Sequence, residues 1–458
     1  MIRLAPLALA AVLVTACTSG GQASGPPPTS PATTSVESST ARPSTVDDWP
    51  TYHGNFARTG KAPSFPTPRT LRVVATVRLD AAVYASPIVA EGITVVPTEN
   101  DSVYGLDANG RQLWRRNLGE PTRRSDLPCG NIDPSGITGT AVYADGVAYV
   151  VAEYRAPVRH ELVALSIRDG TVRWRVSVDL PGADPAAMQE RGALAIAGGR
   201  VWVPFGGRAG DCGNYKGRVV GVSLDGKGAP IAYTVPTPRE GGIWAPPGVA
   251  VDADGHLLVA VGNGEHGQGD TYDYSDSVLQ LGVDARLIDS FSPTTWGSDN
   301  EDDLDLGSQG PVLIGTKWVF IAGKSGTGYV LRQGHLGGVG AQVWQGPVCP
   351  AFGGAALDGD VVYVPCDDGI RAVRVDAAGT AHVLWHASPS IAGSPVLGGG
   401  RVWALDQEAG VLHALDPMTG HSTAQVDVGV TSRFATPALS GEHLLIPTLA
   451  GLTIVAAG

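Results

Sequence analysis

Lysine is scarce. The 458-residue chain has 5 of them against 27 arginines, and basic residues nowhere gather into a tract. With a formal net charge of −12, it lacks the electrostatic footprint of a nucleic-acid binder. Charged residues are 17% of the chain, below the usual share of about a quarter. Long apolar runs are missing too. The longest stretch, Leu4 to Ala16, has 13 residues, short of the roughly 20 that span a bilayer. There is no C-x-x-C pair, so a four-cysteine metal site is excluded, and no C-x-x-C-H haem attachment motif. Nothing resembles a serine nucleophile elbow or a phosphate loop. What is abundant is punctuation: 62 glycines and 34 prolines leave little room for long helices, while 43% apolar residues exclude a disordered chain. The length would suit two or three domains, but all-β rings exceed that prior as single units.

The N-terminus is expected to be an address. Arg3 supplies a positive start to the apolar run, which ends Leu13-Val14-Thr15-Ala16-Cys17. Small residues before a cysteine resemble a bacterial lipobox, which makes residues 1–16 a lipoprotein signal peptide and Cys17 the lipidated residue. The alternative is an ordinary cleaved signal with an incidental cysteine. Residues 17–47 follow as a Ser/Thr/Pro/Gly-rich stretch with too few large apolar residues to offset its ordering entropy, and are expected to act as a flexible tether. This places the remaining domain, residues 48–458, at the outer face of the cytoplasmic membrane, an oxidising setting. The other four cysteines, Cys129, Cys212, Cys349 and Cys366, allow three disulfide pairings. Nearness in sequence favours Cys349–Cys366, with Cys129–Cys212 joining two loops.

Past Trp49 one unit keeps returning: a small-residue start, an apolar strand, a glycine turn, two further strands, and a tryptophan soon after. Val83-Tyr84-Ala85-Ser86-Pro87-Ile88-Val89 opens one copy, and Gly393-Ser394-Pro395-Val396-Leu397 opens another. Ala435-Thr436-Pro437-Ala438-Leu439 opens the last, and its proline lies 42 residues after Pro395. A period of this length built of four short strands is the propeller signature. Starts near residues 84, 138, 192, 245, 309, 351, 392 and 435 predict an all-β, eight-bladed β-propeller of four-stranded antiparallel blades; a misreading of the long middle copies would leave seven. The last copy lacks an outer strand. Thr70 to Leu79 is the segment expected to supply it, closing the ring and hiding its edges.

The phrase Ala414-Leu415-Asp416 … Thr419-Gly420, the tryptophans, and the opening Trp49-Pro50-Thr51-Tyr52-His53-Gly54-Asn55 resemble the pyrroloquinoline-quinone (PQQ) type β-propellers over residues 49–458. That superfamily contains quinoprotein alcohol dehydrogenases and non-enzymatic relatives such as the outer-membrane assembly lipoprotein, so the repeat implies a fold before it implies an activity. Three further phrases resemble the dehydrogenases' site. Gly241-Gly242-Ile243-Trp244 is similar to the phrase whose indole stacks on the quinone, and Asn263, 19 residues on, to the amide ligand of calcium. Asp305, in Asp303-Leu304-Asp305, matches the general base and, with Asp303, the calcium site. Lys324 matches the cation that contacts the quinone oxygens, and Asp211 falls near the family's calcium-binding glutamate. An anionic planar cofactor needs such a set: an aromatic floor, a hard cation held by oxygens, a lysine and a carboxylate base.

The sequence also departs from the dehydrogenases. Their adjacent cysteine pair is absent, Cys129 standing alone, and Ile137-Thr138-Gly139-Thr140 occupies the stretch where they carry an arginine. Each candidate also has a plainer reading. Trp244 could cap a blade as Trp114 and Trp174 do, Asn263 could be a turn residue, and the five carboxylates of residues 299–305 could form a solvated loop or, if brought together, a calcium site. His382 and His386 share a strand face without a third ligand. Two expectations follow. The first is a lipid-anchored module binding an envelope protein or a small-molecule ligand, with no nucleic acid involved. The second is a PQQ- and calcium-dependent dehydrogenase of an alcohol or sugar, which, without haem, would need an external electron acceptor.

Overall fold

A computed structural model describes residues 48–458, leaving the proposed signal peptide, Cys17 and the whole tether outside the described residues. The described chain is eight antiparallel blades in a ring. The first blade shows the pattern: Ile88–Ala90, Ile93–Pro97, Ser102–Leu106 and Gln112–Asn117, paired in chain order. Its third strand is buried throughout, whereas the fourth is exposed everywhere except Trp114, so the fourth strand faces out. First strands begin at residues 88, 142, 195, 250, 312, 356, 396 and 438, each three to five residues after a start read from the sequence. Three blades gain a short fifth strand that the repeat does not announce. Lys61–Ala62 runs parallel to Val396–Gly398, Gly338–Val339 parallel to Leu287–Ser292, and Met188–Gln189 pairs with Arg200–Gly207.

The ring closes as expected. Leu71–Arg78 pairs antiparallel with Gly451–Ala457, from Leu71 opposite Ala457 to Arg78 opposite Gly451, so the last blade joins both ends of the described chain. A single blade cannot bury both faces, and the apolar clusters accordingly lie at seams. One joins the first and second blades through Val95, Trp114, Val150 and Leu165, and another joins the last to the first through Val96, Leu106, Leu444 and Ile454. The outer tryptophans are part of this stacking. The Trp114 indole N–H donates to Ile167 O of the next blade at 2.8 Å. A Cβ on Gly170, which has φ +67°, would sit 2.5 Å from that ring, so the Asp-Gly turn is where one blade's tryptophan docks on its neighbour. Trp385 rests on Gly420 in the same way. The disulfides are Cys129–Cys212 and Cys349–Cys366, the pairing favoured above.

The opening segment has a task its sequence hid. Residues 49–60 touch the lead-in or first strand of seven blades: Trp49 pairs with Val89, Pro50 O accepts from Tyr143 N–H, and Gly60 O from Leu397 N–H. Arg58 is buried at 4% exposure, yet donates to Val249 O, Leu194 O, Tyr52 O and Thr51 Oγ1 at 2.7–3.1 Å. Burial lowers its pKa to about 9, and four acceptors make the buried charge tolerable. This segment therefore plugs the middle of the ring. No helix among the described residues is long and apolar enough to cross a membrane.

Candidate functional site

A pocket of about 530 Å³ opens above the plug, with Tyr52 of the plug in its lining. Its walls come from two kinds of segment only: the lead-ins to the first strands and the turns joining second to third strands. Trp244 and Asp305 stand on lead-ins, while Asp211, Asn263 and Lys324 stand on such turns. The five residues, with Asp303, therefore share one pocket although they span 114 positions between Asp211 and Lys324. Trp244 is not an outer-strand cap like Trp114, which corrects the plainer reading of it.

Asp305 is the node of the fourth and fifth blades' wall. It is 5% exposed. Its Oδ1 accepts from the Asn263 backbone N–H at 2.6 Å and its Oδ2 lies 2.5 Å from Lys324 Nζ. Lys324 also donates to Asp303 Oδ1 at 2.6 Å, an oxygen that takes the Asn263 side-chain N–H as well, again at 2.6 Å. Burial raises the Asp305 pKa, and the Lys324 charge and hydrogen bond pull it back. Burial works against the charged form of Lys324 but the two aspartates outweigh it, so its pKa is raised. Lys324 Nζ stands 5.8 Å from the Trp244 ring centre. A Cβ on Gly262 would meet Asp305 Oδ1 at 2.1 Å and Trp244 Nε1 at 3.0 Å, so only glycine lets carboxylate and indole converge there.

Asn263 proves to be both a turn residue and a ligand candidate. Its backbone is fully used, Gly241 N–H donating to its carbonyl at 2.6 Å, but its side-chain Oδ1 is buried and without a hydrogen-bond partner among the described residues. An orphaned amide oxygen beside two carboxylates is the donor chemistry a hard cation takes. Asp211 sits farther round, its Oδ1 accepting from Tyr215 Oη at 2.5 Å. Among the described residues, Asp211, Asp303 and Asp305 do not meet as a set of three with all carboxylates within 4.8 Å of one another. A cation here would therefore be held by Asn263 Oδ1 with Asp305 and Asp303, and reached by Asp211 only from across the pocket.

The acidic run does not converge as a five-carboxylate cluster. Trp296–Glu301 is a short helix: Asp299 turns inward to Thr295 Oγ1, Glu301 accepts from Gln268 N–H, and Asn300 is spent on Gly264, His266 and Ser275. Only Asp303 and Asp305 reach the pocket. The three side chains among the described residues that could meet as a titratable metal triple, Asp252, Asp254 and His256, lie on a turn at the far ends of their strands.

A second polar wall, from the first three blades, went unread. Glu153, 2% exposed, accepts from Arg208 Nη2 at 2.8 Å and Ser135 Oγ at 3.2 Å and lies 3.5 Å from His160 Nε2. Burial pushes Glu153 up, but the hydrogen bond to His160 and the charge of Arg208 outweigh it and hold its pKa below the usual range. His160 is buried yet raised to about 9 by Asp179, 2.9 Å from Nδ1, and by Glu153. Glu99 and Asp101, in the turn joining second and third strands of the first blade, are pushed by burial to about 8 and about 9. Aligning the repeats would have found them, because this turn is the structural counterpart of those holding Asn263 and Lys324.

Similar proteins fit this architecture. The family model described as outer membrane protein assembly factor BamB matches residues 72–267. Quinohemoprotein alcohol dehydrogenase from Comamonas testosteroni superposes with a TM-score of 0.70 at 16% identity, covering 90% of this chain and 81% of that one. BamB from Moraxella catarrhalis superposes at 0.56 with 17% identity, covering 84% and 97%. The computationally designed Ika8 protein superposes at 0.53 with 13% identity, covering 84% and 100%. No curated protein matches the sequence. At these identities the structures show a shared fold: the described chain is an eight-bladed β-propeller, similar over residues 72–267 to the assembly-factor family and in its ring to the quinohemoprotein dehydrogenase.

Proposed function

We propose that the axial pocket takes PQQ with a calcium ion and that the protein is a quinoprotein dehydrogenase of an alcohol or sugar. The observation that carries this is the gathering of Trp244, Asn263, Asp305 and Lys324 around one pocket, with the Asn263 Oδ1 left without a donor. Trp244 would hold the flat ring, and Asn263, Asp305 and Asp303 the cation. The cofactor, when bound, supplies the acceptor for the substrate's hydride or electron pair. Asp305 would take the substrate hydroxyl proton, its carboxylate held by the Asn263 N–H and by Lys324, which also balances its charge. The adjacent-cysteine pair is absent. A different bridge, Cys129–Cys212, joins the segment before Asn131 to the loop carrying Asp211, and both of those residues line the pocket.

Calorimetric titration of the chelator-treated protein with PQQ, with and without calcium, tests this reading. Calcium-dependent binding at micromolar or better is the expected result, and no heat in either condition from folded protein overturns it. In the loaded protein, Asp305→Asn should lower dye-linked alcohol or sugar oxidation by about 10²-fold or more. A second reading draws on the match to the assembly-factor family model: a module anchored through Cys17 at the outer face of the cytoplasmic membrane, presenting its loops to an envelope protein. Failure of PQQ to bind would favour it.

A further inference from the structure

The pocket has a second pole, opposite in chemistry to the aspartates. Arg191, on the lead-in to the third blade, lines it half-buried. Among the described residues its side chain makes one hydrogen bond, Nη2 to Gln189 Oε1 at 3.1 Å, and it belongs to none of the ion pairs that engage Arg208 and Lys324. Its guanidinium carbon stands 5.5 Å from the Phe434 ring centre. Phe434 belongs to the lead-in to the last blade, whose Thr431, Ser432 and Arg433 also line the pocket. Thr431 and Ser432 are 5% and 6% exposed, and both hydroxyls are buried without a hydrogen-bond partner. Arg433 spreads over Phe352 at 4.1 Å and over Phe434 at 5.8 Å. Phe434 in turn meets the Trp244 ring edge-on, centres 6.1 Å apart.

A half-buried guanidinium without a counter-charge is costly, and so are two buried hydroxyls without partners. All of these demands are met by one kind of guest. A carboxylate accepts a bidentate pair from a guanidinium and further hydrogen bonds from hydroxyls, and a ring attached to it would lie along Phe434 toward Trp244. We propose that Arg191, Thr431 and Ser432, flanked by Arg433 and Phe434, form a carboxylate-binding subsite for a ligand whose flat ring bears that carboxylate. The subsite deepens the pocket reading above and rests on it for the identity of the ring. It places anion recognition on the third and last blades, away from the stretch where the dehydrogenases carry their arginine.

The test is a calorimetric titration of wild type, Arg191→Met and Arg191→Lys with PQQ and with benzene-1,2,4-tricarboxylate, benzyl alcohol serving as the ring without a carboxylate. Melting curves confirm that each variant is folded. Removing a charge-assisted bidentate contact should weaken carboxylate binding by about tenfold or more. Arg191→Lys, which keeps the charge and loses the fork, should fall between, and benzyl alcohol should not distinguish the three proteins. PQQ binding equally to wild type and Arg191→Met would overturn the subsite while leaving the quinoprotein reading intact. Arg191-dependent binding of the tricarboxylate without any binding of PQQ would support the subsite and overturn the quinoprotein reading. Absence of binding by both carboxylates overturns the subsite outright.

Discussion

The two charged walls of the pocket solve the same problem in opposite ways. On the side of the fourth and fifth blades, Asp303 and Asp305 line the pocket and share one lysine, with Asn263 donating from both backbone and side chain. On the side of the first three blades, four acids are sealed behind the lining. One of them, Glu153, pairs with Arg208 and shares His160 with Asp179, while burial drives Glu99, Asp101 and Glu190 toward their neutral forms. A partly exposed cluster can stay charged and exchange its lysine contact for a ligand. A sealed cluster keeps its charge only where a partner is built in, and otherwise holds its protons. The first arrangement suits binding and the second suits rigidity.

The sharpest way to break this contrast is Glu153→Ala, which strands Arg208 and leaves His160 with Asp179 alone. Losing one partner of a buried pair should cost about 3–5 kcal/mol in urea denaturation. A loss below about 1 kcal/mol would mean that the sealed wall is no more structural than the open one. Lys324→Met should cost less, about 1–3 kcal/mol, because only Asp305 of its two partners is buried. Adding Asp305→Asn should recover most of that loss, and a double variant as unstable as the single would show that the two do not act as a pair. The smallest effect concerns pH. Glu99 and Asp101 have folded pKa values above their unfolded ones, at about 8 and about 9. Their contribution to stability is complete below pH 4 and declines as pH rises, since the unfolded chain releases these protons first, until the folded protein releases its own. His160, raised to about 9, adds a decline of the same sign above pH 6.5. Glu99→Gln and Asp101→Asn should flatten the fall in melting temperature between pH 5 and 9, each gaining roughly 1 kcal/mol over wild type at pH 9. An unchanged slope would remove these two acids from the account.

How much of the site could be read in advance depended on how local its signal was. Trp244, Asn263, Asp305 and Lys324 stand in short phrases that differ from the repeat and resemble the dehydrogenases' site, and that resemblance exposed them. Arg191 and Phe434 stand at the equivalent lead-in positions of other blades, where nothing in the local phrase marks them. Glu99 and Asp101 lie in a plain-looking turn, Thr98-Glu99-Asn100-Asp101, whose burial comes from Gly136 and Thr138 of the next blade. The acidic run stayed open between a solvated loop and a cation site because spacing in sequence says how many carboxylates are near one another, not which way a six-residue helix turns them.

The sequence by itself determined the ring. Strand lengths, glycine turns and docking tryptophans are set by contacts within a repeat or with the adjacent one, and a period near 42 residues carries that information directly. The closure was legible too, because the last copy is short of an outer strand and Leu71–Arg78 covers the edge this leaves. What only the tertiary structure decided was everything at the axis: the plug of residues 49–60, the unpaired Arg191, and the sealing of one acid cluster beside the opening of another. The plug and Arg191 join residues more than a hundred positions apart, and the acid clusters join different blades, at a point that no single repeat contains. Their energetics depend on how much water the closed ring admits to each group, which is a property of the whole circle.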